Sequence, residues 1–219
     1  MTTLQPFLTE AEASLLYTAG DAAHDFDHVR RVTRLGVRIA TAEDADVTVV
    51  WLAALLHDVP VANPELGADA RVGHHRAAAG FAQRLLAEHG LEPARVANVV
   101  HCIEAHRFRD RSIEPQTLEA RCLYDADKLD SIGAIGVGRA FAFAGAQGSR
   151  LWTEPWRNAP ADTIQPAGVE YTPVHEFVYK LQRLQATLFT GTARVIAVQR
   201  HQFMVVFYDQ LDAEMLGMA

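Results

Sequence analysis

Cysteine is scarce in this chain: its 219 residues include only Cys102 and Cys122. A disulfide framework is therefore not the source of its stability, and a chain of this length can bury a core without one. Both cysteines lie in apolar helical contexts and read as reduced thiols. No uncharged run reaches membrane-spanning length, so no helical span is expected. The opening residues, with Thr2, Thr3 and Gln5, lack the basic segment and apolar core of an export signal. These absences together predict a cytoplasmic protein. Positive charge is also in deficit, since 20 Lys and Arg against 27 Asp and Glu leave a net charge of -7. A broad nucleic-acid surface needs a basic face and is not expected. A small phosphorylated ligand needs only a local cluster of cations and stays open. Alternating apolar and polar runs are missing too, which points away from sheets and toward an all-α fold.

What the chain does have is helical periodicity. Thr9 is placed to cap a short first helix that ends by Gly20. In the second, His28, Val32, Leu35 and Ile39 recur at steps of four, three and four, so His28 starts a core face. The third, Val47 to Asp58, is apolar nearly all round until His57-Asp58, and Pro60 ends it. Residues 60–73 read as a loop at the rim of any site there. A fourth helix spans His74 to His89, with Gly90 as its stop. The fifth starts at Pro93 and puts Val96, Val99, Ile103 and His106 on one face, with His101 off it. A sixth begins near Pro115, carries Leu118, Leu123 and Asp127, and is read as continuing through Phe143 with a glycine bend. Residues 145–170 read as a long ordered loop, and helices over 173–189 and 192–211 close the chain. The aromatics Phe177, Tyr179, Phe189, Phe203, Phe207 and Tyr208 read as core or as the face of a homodimer. One helical domain over 1–219 is expected, with a core at 24–143 and a helical extension at 172–214.

A buried carboxylate beside a buried imidazole is costly unless paired or bound to a metal. His57-Asp58 is such a pair. His28 and Asp127 fall on inward faces of the helices before and after it. Imidazoles and carboxylates in one set suit a divalent first-row metal, and four protein ligands leave positions open for water or substrate.

The order His28, His57-Asp58, Asp127 resembles the HD superfamily of metal-dependent phosphohydrolases. The context carries the likeness further: "HDFDHVRRV" resembles its first motif, "LAALLHDV" its second, and "LYDADKLDSIGAIGVGRAF" the final Asp motif of a bacterial subgroup. The resemblance covers residues 24–143. It implies an all-helical bundle that binds Mn, Mg, Fe, Co, Ni or Zn and hydrolyses phosphate ester or anhydride bonds, often of nucleotides. Asp58 would bind the metal and also orient the attacking water.

Further roles follow with alternatives attached. "IEAHRF" resembles the helix-end His motif of dinuclear members, which makes His106 a candidate for a second metal or for substrate. His74 or His75 would accompany it, with a helix cap as the other role for either. Asp25 is either a helix cap or an orienting partner for an imidazole, and His24 reads as a loop residue. Lys128 and Arg139 are candidate phosphate binders, ahead of Arg31, Arg71 and Arg107. Gly133, Gly136 and Gly138 lack a preceding strand, so they read as close packing or a bend and not as a phosphate loop. Two other functions stay in view: a dinuclear-iron oxygenase, and a non-catalytic module that binds metal or nucleotide.

Overall fold

A computed structural model describes residues 7–18, 26–59, 74–107, 113–159 and 170–219. Asp25, His24, Arg71 and the loop 60–73 lie outside the described residues, as does the side chain of His74. The described residues form helices and no strand, the all-α fold expected. They fall into two compact units. The first holds the described residues up to Asp127 together with 189–192; the second holds those from Lys128 to Leu188 and from Ala193 onward.

The first unit contains α1 (Glu10–Ser14), α2 (Phe26–Ala42), α3 (Val47–Leu56), α4 (His74–Glu88), α5 (Pro93–Ala105) and most of α6 (Leu118–Asp130). Helix α3 is its centre and packs against α1, α2, α4 and α5. Asp46 caps it, its Oδ1 accepting from the Thr48 amide at 2.9 Å and the Val49 amide at 3.3 Å. From Leu52 to Leu56 every residue is buried. Burying Leu52, Leu55 and Leu56 contributes about 2 kcal/mol for each side chain. The cost is that α3 has no polar face, so its end must lie inside the unit. On α2, His28, Val32 and Ile39 are buried as the periodicity predicts, and on α5 so are Val96, Val99 and Ile103. The thiols of Cys102 and Cys122 are free and buried, and burial pushes Cys122 up to about 12.

The second unit contains α7 (Gly133–Gln147), α8 (Pro173–Glu176), a π-helical stretch (Phe177–Leu181), α9 (Gln182–Leu184), a 3-10 turn (Gln185–Thr187) and most of α10 (Gly191–Met215). Phe177 stacks on Tyr208 at 4.3 Å, and Trp156 meets Phe177 edge-on at 5.3 Å. The irregular stretch after α7 is tied to α10 through carboxylates. Trp152 Nε1 donates to Asp212 at 2.7 Å, and Trp156 Nε1 to Asp209 at 2.8 Å. Of the aromatics expected in a core or dimer face, Phe177 and Tyr208 are fully buried and Phe203 is exposed.

Three boundaries differ from the periodicity. Helix α1 stops at Ser14, before Gly20. The long helix read across 115–143 is broken between Asp130 and Gly133, whose φ of +79° a side chain would strain. The helix read to Phe189 turns π over Phe177–Leu181 and ends in the 3-10 turn Gln185–Thr187. Gly136 explains why the break is tight: a Cβ there would lie 2.2 Å from the Ser131 carbonyl oxygen. Gly138 has open space around it, so the packing role falls on Gly136. Gly136→Ala should therefore destabilise the protein by about 2 kcal/mol, the scale of an overpacked site. Urea unfolding would show a lower midpoint at unchanged slope, whereas a midpoint equal to the parent's would contradict the close approach.

Candidate metal centre

Three side chains meet where α3 ends. His28, His57 and Asp58 are buried and each offers one ligand atom, all within 4.8 Å of one another. His28 Nε2 lies 3.6 Å from Asp58 Oδ2 and 3.5 Å from Asp127 Oδ1. His57 Nε2 lies 3.5 Å from Asp58 Oδ2. The four residues singled out from sequence are thus brought together: His28 from the first turn of α2, His57-Asp58 from the end of α3, and Asp127 from α6.

Hydrogen bonding fixes the tautomer of His57. Its Nδ1 is 2.8 Å from the Ala54 carbonyl oxygen, which can only accept, so Nδ1 carries the proton. Nε2 then presents a lone pair into the site, and that buried nitrogen has no hydrogen-bond partner among the described residues. A buried lone pair without a donor is an unmet demand. A dication set among imidazole nitrogens and carboxylate oxygens satisfies it, so the residues present fit a divalent metal.

His106 completes the cluster. It follows the last residue of α5, is buried, and its Nδ1 donates to the Ile103 carbonyl at 2.6 Å. Its Nε2 thereby points at Asp58 Oδ1, 3.8 Å away. Asp58 presents Oδ2 to His28 and His57 and Oδ1 to His106. Burial alone would raise the Asp58 carboxyl. Positive charge on the imidazoles of His57, His106 and His28, present when those rings take up a second proton, outweighs that and holds it well below the usual carboxylate range. The centre thus keeps an ionised acceptor at its middle.

The remaining candidates sit as follows. His75 is buried in the first turn of α4. Lys128, the residue after Asp127 on α6, is also buried, which is unusual for lysine. Arg139 turns its guanidinium onto Asp130, with Nη1 3.2 Å from Oδ2 and 3.3 Å from the backbone oxygen. His101, off the inward face as expected, accepts from the Gln116 amide at 3.0 Å.

Sequence reasoning missed Asp125 and Tyr17. Asp125 is fully buried and receives the amides of Phe189 and Thr190 and the Thr190 hydroxyl. Tyr17 donates its hydroxyl to the Leu55 carbonyl at 2.9 Å, within one turn of His57-Asp58.

Comparison with known proteins shows the family. The HD domain family matches residues 25–132. The protein YpgQ of Bacillus subtilis is 34% identical over 206 residues, which span 92% of this chain and 89% of YpgQ. The chain belongs to the HD family. Among solved structures of similar proteins, Bacillus subtilis YpgQ in complex with ADP superposes with a TM-score of 0.72 at 30% identity, covering 96% of this chain and all of that one. An HD-superfamily hydrolase from Bacillus thuringiensis follows at a TM-score of 0.68 and 26% identity, covering 94% of each chain. The HD match spans the residues that carry His28, His57, Asp58 and Asp127. It starts after Tyr17 and ends before Arg139.

Proposed function

We propose that the protein is a metal-dependent phosphohydrolase that cleaves a phosphate ester or anhydride bond of a small phosphorylated compound, with nucleotides as the substrate class. The observation that carries this reading is the buried His28, His57 and Asp58 cluster, with His57 Nε2 facing into it and without a hydrogen-bond partner among the described residues. The nucleotide class is supported by YpgQ, a relative crystallised in complex with ADP.

In this reading His28, His57, Asp58 and Asp127 hold the metal, with His106 as a further ligand or substrate contact. A bound dication would neutralise charge on the phosphoryl oxygens and activate water for attack. The protein's own residues do the rest. The Ala54 and Ile103 carbonyls lock the tautomers of His57 and His106, so their Nε2 atoms face inward as acceptors. Asp58, ionised between the imidazoles, would help hold the metal and orient the attacking water. Lys128 supplies positive charge for the substrate phosphate from the position next to Asp127.

The test is release of phosphate or pyrophosphate from a panel of nucleoside mono-, di- and triphosphates by Mn-, Mg- or Co-loaded protein. Release from at least one, lost on chelation, supports the reading. Lys128→Ala should lower kcat/KM about tenfold or more, the scale of one charge-assisted hydrogen bond, with most of the change in KM. Steady-state kinetics on the best substrate would check it, and unchanged constants would remove Lys128 from the site.

A further inference from the structure

The ligand pair His57-Asp58 lies beyond the regular end of α3, which stops at Leu56. Past that point the backbone is a turn, and the Val59 amide reaches the Leu56 carbonyl at 3.4 Å, a long bond. The Ala54 carbonyl, the helical acceptor for residue 58, accepts the His57 ring. A frayed turn of this kind leaves several orientations to the side chains it carries unless something else holds it.

That hold comes from before the HD match. The Tyr17 hydroxyl donates to the Leu55 carbonyl at 2.9 Å, and its oxygen faces the backbone amide of Asp58. One hydroxyl thus spans the turn from Leu55 to Asp58. The Tyr17 ring packs on Phe26 at 5.3 Å, and Phe26 is the first residue of α2, two before His28. Arg30 of α2 lies 5.5 Å from the centre of the Phe26 ring and pairs with Glu10 of α1 at 2.5 Å. Trp51 of α3 donates to the Leu8 carbonyl at 3.1 Å. Residues 7–18 are therefore fastened to α2 and α3, two of the helices that deliver ligands.

We infer that Tyr17 is a positioning residue of the metal centre, clamping the Asp58 turn against the α2 end that carries His28. This rests on the reading of the cluster as a metal site. Phenol and ring have separate jobs: the hydroxyl fixes the turn, and the ring sets the distance between α2 and α3. Removing the hydroxyl alone should loosen the ligands without loosening the fold.

Tyr17→Phe tests this, because it keeps the ring on Phe26. Titration calorimetry of the full-length, metal-stripped protein with Mn²⁺ should show the Kd raised about tenfold, the scale seen when a group orienting a ligand is lost. Amide hydrogen exchange on the metal-free protein should show faster exchange confined to residues 55–59. The thermal midpoint should stay close to the parent's. Unchanged Mn²⁺ affinity with unchanged exchange at the turn would overturn the inference, and so would a lower midpoint with unchanged affinity. A parent protein that binds Mn²⁺ yet hydrolyses no nucleotide would sink the proposed function and leave Tyr17 to be decided by the same titration. Were the parent to bind no Mn²⁺, the metal reading would fall, and the exchange data would still decide the clamp.

Discussion

Asp58→Ala should bind no divalent metal in calorimetry and should lose turnover by a factor on the order of 10³ or more, the scale of removing one preorganised electrostatic group. Its circular dichroism should remain that of the parent. The loss follows from position. Asp58 Oδ2 faces His28 at 3.6 Å and His57 at 3.5 Å, and Oδ1 faces His106 at 3.8 Å. Asp58 thus faces three imidazoles of the cluster. Without it three buried imidazoles face one another with only Asp127 left as an acidic ligand, and a dication loses the charge that offsets its desolvation. The fold should survive because neutral imidazoles tolerate burial once Nδ1 of His57 and of His106 is bonded to backbone. Asp58→Asn sharpens the experiment, since it keeps the size and removes the charge. It should fail as Ala does, and an active Asn variant would mean that charge at this position is not what the centre needs.

Asp125→Ala should be the most destabilising single change, by about 3 kcal/mol or more. Asp125 is fully buried, and its carboxylate accepts the Phe189 amide at 2.9 Å, the Thr190 amide at 2.7 Å and the Thr190 hydroxyl at 2.7 Å. These donors precede α10, where backbone amides have no helical acceptor of their own. Truncation removes the acceptor of these three donors, and each donor left without a partner costs roughly 1–3 kcal/mol. Glu43 supports the same segment by accepting the Thr192 amide at 2.7 Å, so the loss is partial and the protein should still fold. For a chain of this size 1 kcal/mol corresponds to roughly 2–4 °C. A thermal midpoint lowered by about 10 °C is therefore expected, with Asp125→Asn falling between the two. A midpoint within 2 °C of the parent's, on that same scale, would show that the segment at 189–192 is held by other means.

The parts of this protein that sequence makes legible are those encoded by spacing. His28 falls in phase with Val32 and Ile39, His106 in phase with Val96, Val99 and Ile103, and all seven are buried. The run from Trp51 to Leu56 announces a central helix because nothing in it can face water. Partners that are backbone atoms, or that lie far along the chain, leave no such trace. Tyr17 meets a carbonyl 38 residues on, and Asp125 meets amides 64 and 65 residues on. Neither separation produces a pattern, and any residue supplies a carbonyl or an amide. Asp125 also sits two positions before Asp127, so a motif reading spends its attention on the ligand. A bend at Gly133, Gly136 or Gly138 is legible, but that the helix stops altogether at Gly133 is not. Apolar residues continue in helical phase across it, and the stop comes from a positive φ and the contact between Gly136 and Ser131, which periodicity does not record.

The central claim is that a metal held by His28, His57, Asp58 and Asp127 supports hydrolysis of a phosphorylated substrate. The most direct test is to follow phosphate and pyrophosphate release from a nucleotide panel by the metal-loaded parent, before and after chelation and readdition of metal. The account predicts release from at least one nucleotide, its disappearance on chelation, and its return with Mn, Mg or Co. Protein that demonstrably holds metal at these residues yet releases neither product from any nucleotide would contradict it.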